Sequence, residues 1–297
     1  MNTVDLYRLG MRWLPRLPER LIYWLGGAGA ALVLAGAPRV RRGVAANLLH
    51  TRPEARPWRR IVLARRVLAY VFRHYADMLR LPRLDQADLE RRFELTGAEH
   101  LDALLAGGVG GIMAVPHCGS FSTVLAMLAG RGYPIVLVVE RIEPPEMLET
   151  VMELRRSHGV EVLVLGPSAG RDVLRALRAN KIVVLAGDRD LAAQPIELPF
   201  FDAPASVPSG IARLAQRGVP VITAFTAWVH GGPAFTRIDP ALRFEQSSGE
   251  AATEQIARAI LARLESYIAA FPASWGVLQP VWPEAAEPAV RAKKANV

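Results

Sequence analysis

From residue 93 onward, short runs of apolar, often β-branched residues alternate with segments patterned for helices. Residues 93–96, 112–115, 135–139, 162–165, 182–186 and 221–228 read as strands. Residues 97–106, 120–130, 144–158, 171–179, 210–216 and 253–269 read as helices, and 187–209 as one long loop. A strand joined to the next through a helix must return parallel to it. The chain is therefore expected to be α/β, with a mostly parallel sheet flanked by helices. No internal repeat is visible.

In such a sheet, ligands bind outside the carboxyl ends of the strands. The stretch 110–123, G-G-I-M-A-V-P-H-C-G-S-F-S-T, supplies the first candidate. Pro116 ends the strand because it has no N–H to donate. His117 follows, and Gly119, Ser120 and Ser122 open the next helix. An imidazole with an ordinary pKa of about 6.5 suits a general base; a helix cap or an edge filler is the plainer reading. Glu140 and Arg141 directly follow the run 135–139, and Asp188, Arg189 and Asp190 directly follow 182–186. Three polar groups on one sheet edge favour a site.

Other chemistries lack their signatures. Neither C-x-x-C nor H-E-x-x-H occurs, so no metal centre or cofactor is expected. There is no G-x-S-x-G elbow of a serine hydrolase. The single cysteine, Cys118, rules out an intramolecular disulfide and fits a reducing compartment. Next to His117 on extended backbone it points to the opposite side, so it reads as a small buried hydrophobe rather than an acyl carrier.

The first 92 residues differ from the rest. They hold 18 Lys/Arg against 7 Asp/Glu, a net of +11, within a chain whose net charge is +8. Leu6, Leu9, Trp13, Leu17, Leu21 and Trp24 run among Arg8, Arg12, Arg16 and Arg20. Residues 21–38 then carry no charge, over a length of 18 that four glycines dilute. Residues 39–60 read as a helix and a proline-broken loop, and 61–80 as a helix with one buried and one basic face. Basic and apolar side chains together fit a segment lying in an anionic membrane interface better than nucleic acid. A helical hairpin folded onto the body is the alternative. The expected division is a helical docking region at 1–92, an α/β core at 93–285 and a flexible tail at 286–297.

The run G-A-E-H-L-D-A-L-L-A-G-G-V-G-G-I-M-A-V-P-H-C-G-S-F resembles the core block of the bacterial lipid A biosynthesis acyltransferases. R-R-x4-N-L at 41–48, D-R-D-L at 188–191, P-F-F-D-A-P-A-S-V-P-S-G at 199–210 and P-A-S-W at 272–275, with Trp282, follow in the right order. D-R-D-L and the E-x-x-F-F element look closer to the phosphatidylinositol mannoside branch. The resemblance implies a glycerolipid-acyltransferase-like fold with membrane-docking N-terminal helices, on the cytoplasmic face of the inner membrane. The implied reaction moves a fatty acyl group from acyl-CoA or acyl carrier protein to a hydroxyl of a membrane glycolipid.

By the same resemblance, His117 matches the histidine of an H-x4-acid motif and would deprotonate the acceptor. Glu140 and Arg155 match an acid and an arginine that shape the site, with Arg189, Ser120 and Ser122 beside them as substrate-binding candidates. The motif acid should fall at residue 122, where Ser122 stands. Glu197, then Asp188, then Glu140 are the carboxylates that could replace it, the first two being the catalytic candidates. A catalytically silent lipid-binding relative and a thioester hydrolase are the rival readings.

Overall fold

The computed structural model describes residues 10, 13–142, 144–189, 195–229, 232–244 and 249–282. The tail 286–297, Asp190 and Leu191 lie outside them, as do Leu6, Leu9, Arg8 and Arg12 of the basic leader.

Three helices come first: α1 (Glu19–Gly36), α2 (Pro38–Thr51) and α3 (Pro57–Arg80). Proline stands at the first position of α2 and of α3, where its missing N–H costs nothing and its fixed φ starts a helix. Pro38 cannot continue α1, and the two helices meet at 99°. Among the described residues no single helix is long and apolar enough to cross a membrane; the bent pair α1 and α2 reaches that mark in summed length and composition only. Gly26 and Gly29 let α1 lie close on Phe72 of α3. Trp24, Leu25 and Leu32 of α1 stay exposed, as do Trp58 and Ile61 of α3.

After the short α4 (Gln86–Glu90), the chain enters the sheet. In chain order come β1 (Phe93–Thr96), α5 (Glu99–Ala106), β2 (Gly111–Val115), α6 (Phe121–Gly130), β3 (Ile135–Val139) and α7 (Pro145–Arg156). They are followed by β4 (Glu161–Val164), α8 (Ala169–Arg178), β5 (Ile182–Ala186), β6 (Pro195–Phe200) and β7 (Ala203–Pro208). The last are α9 (Gly210–Gln216), β8 (Val221–Ala227), β9 (Ala234–Ile238) and α10 (Glu250–Ala270). The strands form a seven-stranded sheet in the order β1-β9-β8-β2-β5-β3-β4, parallel except where β9 runs against β8.

Strand alternation divides the core into two layers. Ile112 and Ala114 of β2 face one side, with Val173 and Leu177 of α8 and Leu261 and Leu264 of α10. Met113 faces the other, with Leu125 and Met127 of α6 and Met78 of α3. Both faces are thus covered, as the run of apolar strands requires.

Two elements escape the sequence pattern. The expected loop 187–209 holds the antiparallel hairpin β6–β7. Its four prolines argue against a strand, but an isolated two-stranded ribbon has edges where no N–H is needed. Phe201 and Asp202, at φ of 49° and 57°, make the turn. Strand β9 was not expected either, since Thr236 and Arg237 interrupt its apolar run; its place comes from pairing with β1 and β8.

Candidate active site

Strand register builds the site. Val115 of β2 lies opposite Ala186 of β5, and the Gly187 N–H donates to the Val115 carbonyl at 3.0 Å. Two residues past those strand ends stand His117 and Asp188, which the parallel pairing brings side by side. Asp188 is fully buried. Its Oδ1 accepts the His117 Nδ1–H at 2.8 Å. Its Oδ2 accepts the His117 backbone N–H at 2.8 Å and the Trp275 Nε1–H at 2.7 Å. Without such donors a carboxylate in this position would cost several kcal/mol.

The ionisation of the pair follows from this geometry. Burial by itself would raise the Asp188 carboxyl, but His117, through ring and backbone, and Trp275 hold it below the usual carboxylate value. Burial by itself would lower the His117 imidazole, and the Asp188 charge outweighs it, so that pKa is raised. The bond to Asp188 assigns the proton of neutral His117 to Nδ1, leaving Nε2 with its lone pair.

The loop carrying His117 is held from several sides. The His117 carbonyl accepts from Gly276 at 2.8 Å, and Gly119 donates to Ser274 at 2.9 Å. Gly119 has φ of 58°, and a Cβ there would sit 2.5 Å from the Thr226 carbonyl, so no larger residue fits. Cys118 is buried and burial pushes its thiol pKa well up, which makes it a poor nucleophile.

His117 opens onto a cavity of about 930 Å³ whose walls are mostly apolar. Glu140 and Arg189 line it and form an ion pair at 2.7 Å, and Arg189 also donates to Gln279 at 2.6 Å. Arg155 reaches the same cavity from α7; its Nε donates to the Ser122 hydroxyl at 3.2 Å. Phe121 and His74 complete this end.

The sequence profile of the bacterial lipid A biosynthesis acyltransferase family matches residues 2–284. The phosphatidylinositol mannoside acyltransferase of Mycolicibacterium smegmatis is 30% identical over 286 residues, 95% of this chain and 92% of that protein. Its namesake from Mycobacterium tuberculosis (strain ATCC 25618 / H37Rv) is 34% identical over 215 residues, 71% of this chain and 67% of that one. The chain belongs to the lipid A biosynthesis acyltransferase family. Among solved structures, the 1-acyl-sn-glycerophosphate acyltransferase of Thermotoga maritima is similar over 84% of this chain and 97% of its own. At 12% identity and a TM-score of 0.40, that overlap is too loose to bear on the chemistry.

In this acyltransferase His117, Asp188, Glu140, Arg189 and Arg155 fall at one end of the sheet. Glu197 does not join them. Leu198 and Phe200 of β6 turn into the core, so alternation leaves Glu197 exposed on the far side of the hairpin, opposite Ser206. The carboxylate beside His117 is Asp188. Ser120 and Ser122 also depart from the substrate-contacting place expected of them. Both are buried, and their hydroxyls are engaged by protein groups, Ser122 with Arg155 and Ser120 with Asp77 at 2.9 Å.

Sequence reasoning missed several supporting residues. Asp77, buried in α3, takes the Ser120 hydroxyl and the Tyr23 hydroxyl of α1, the latter at 2.5 Å. It thereby ties the first helices to the turn after His117. Asn47, in the R-R-x4-N-L block, donates to the carbonyls of Val277 and Gln279 and accepts from the Val281 N–H. Gly43, one turn earlier, has no room for a Cβ against the Leu278 carbonyl. That block therefore clamps the closing segment, which carries Gln279 to Arg189. The R-R-x4-N-L motif marked Asn47 in the sequence without saying what it holds.

Proposed function

We propose that this enzyme transfers a fatty acyl group from the thioester of acyl-CoA or acyl carrier protein to a hydroxyl on the headgroup of a membrane glycolipid. A phosphatidylinositol mannoside or a lipid A-type glycolipid is the expected acceptor. The observation carrying the proposal is the His117–Asp188 pair at the mouth of a large, mostly apolar cavity.

The acceptor hydroxyl donates to His117 Nε2 and loses its proton there as its oxygen attacks the thioester carbonyl. Asp188 holds the ring in the tautomer this needs and stabilises the imidazolium that forms. The tetrahedral intermediate collapses, the C–S bond breaks, and the departing thiolate takes the proton back from His117. The apolar walls accommodate the acyl chain, and Arg189, held by Glu140 and Gln279, and Arg155 supply positive charge toward polar parts of the substrates. Because Asp188 lies against the imidazole, Ser122 does not leave His117 without a carboxylate, which speaks against a silent relative.

The exposed Trp24, Leu25 and Leu32 and the excess of arginine in the first 92 residues support docking on an anionic membrane. The site assigned to that docking is the cytoplasmic face of the inner membrane, peripheral or monotopic. Incubation with radiolabelled acyl-CoA and a lipid extract tests the reaction. A labelled glycolipid that disappears with His117→Ala is the expected result. Free fatty acid as sole product would make the protein a thioester hydrolase and overturn the proposal.

A further inference from the structure

The cavity that opens at His117 is lined from both faces of the sheet. On the face covered by α3, Leu137 and Val139 of β3 and Tyr70 of α3 line it. On the other face its floor is Val138 of β3 and Leu185 of β5, and its walls are Val173 and Leu174 of α8 and Ile211 and Leu214 of α9. Alternation along β3 divides the two parts, because Leu137 and Val138 point to opposite faces.

The α8–α9 part differs in its charge. Arg171 in the first turn of α8 and Arg217 at the end of α9 line the cavity and are exposed, so they stand at its rim. Neither side chain has an ion-pair or hydrogen-bond partner among the described residues. The other cations of the cavity are engaged, Arg189 by Glu140 and Gln279 and Arg155 by Ser122. Within 166–180 and 208–219 the only acid is Asp172, which pairs with Arg175 at 2.9 Å. Two unpaired guanidinium groups at the lip of an apolar passage fit a ligand that ends in a phosphate.

The faces of the sheet say which substrate that is. The exposed Trp24 and Leu32 belong to α1, which lies on α3, so a lipid acceptor comes from the α3 face. Both thioester donors, acyl-CoA and acyl carrier protein, carry their sulfur on a pantetheine arm that ends in a phosphate. We propose that the passage between α8 and α9 admits this arm, its phosphate held by Arg171 and Arg217, so that donor and acceptor reach His117 from opposite faces of the sheet. This rests on the reading of the cavity as the place where a thioester meets His117.

Binding without turnover is the test. The probes are S-octyl-pantetheine, S-octyl-4′-phosphopantetheine and S-octyl-CoA, thioethers that cannot transfer an acyl group. Titration calorimetry compares wild type with Arg171→Gln/Arg217→Gln, whose exposed positions keep the fold, as an unchanged thermal midpoint checks. The expected result is a rise of about ten-fold in Kd for the two phosphate-bearing probes and none for S-octyl-pantetheine. A loss confined to S-octyl-CoA would give the arginines to the nucleotide phosphates and overturn the pantetheine-phosphate contact. An equal change for all three probes, or none, would overturn it too. So would weaker flotation with anionic vesicles at unchanged Kd, since the arginines would then serve the membrane. A wild type that binds the probes as expected yet transfers no acyl group strikes the transfer reaction and not this contact.

Discussion

Asp188→Asn perturbs one atom and should nearly silence the enzyme. Oδ2 of Asp188 accepts two N–H groups, from the His117 backbone and Trp275, so the asparagine carbonyl must take that place. The amide NH₂ then faces His117 Nδ1, where Oδ1 stood. Two donors cannot bond, so Nδ1 gives up its proton and becomes the acceptor, and the proton moves to Nε2. The ring is held in place in the wrong tautomer, with no lone pair toward the acceptor hydroxyl. In a Ser-His-Asp site this fault costs about 10⁴ in rate. For this enzyme the expected loss in kcat/KM is about 10³–10⁴, or about 4–5.5 kcal/mol of transition-state stabilisation.

The assay is initial-rate transfer from radiolabelled acyl-CoA across pH, with circular dichroism to show that the variant folds. In the proposed reaction His117 acts as a base when neutral, so wild-type kcat/KM should fall as pH drops through its raised pKa. Without the Asp188 charge that pKa drops, and the residual activity of Asp188→Asn should persist to lower pH. A loss smaller than ten-fold, or an acid limb that does not move, would refute the tautomer argument.

Glu197→Gln should stay within about two-fold of wild type in kcat/KM, because Glu197 is exposed on the hairpin away from His117. Ser122→Asp should fail to rescue Asp188→Asn in the same assay, since a carboxylate at 122 meets Arg155 and not the imidazole. Ser120→Ala should lower stability by about 1–3 kcal/mol in urea unfolding, by leaving buried Asp77 short of a donor, while kcat falls less than ten-fold. Trp24→Ser with Leu32→Ser should abolish flotation with anionic vesicles and leave the thermal midpoint nearly unchanged, because both side chains are more than two-thirds exposed, at 67% and 73%.

The sheet was legible because apolar runs such as Ile135–Val139 have few other places to go. His117 was legible because Pro116 and Gly119 mark a strand end turning into a helix. The partner of His117 was not, for a reason that is geometric. Glu140 and Asp188 each sit just past an apolar run, and only strand order says which run is the neighbour. The order places β5, not β3, against β2, so Asp188 arrives beside His117 and Glu140 one strand further off. The place of Glu197 was not legible because prolines concealed its strand, and with it the alternation that turns it outward. His74 and Asp77 were hidden on the apolar face of α3, where polar side chains look like interruptions of a pattern and prove to be buried members of the site.

Ser122 bears on the wider question of what the acid of an H-x4-acid spacing does. Residue 122 lies in the first turn of α6, directed at α7, where it meets the Arg155 guanidinium. His117 stands in the strand-end loop and finds its carboxylate on β5. In this geometry an acid at 122 would address the arginine, and changing it to serine alters the charge around Arg155 rather than the basicity of His117. His117 and Arg155 thus take their polar partners from different elements, and the substitution that seemed to threaten catalysis falls on a buried residue bonded to Arg155.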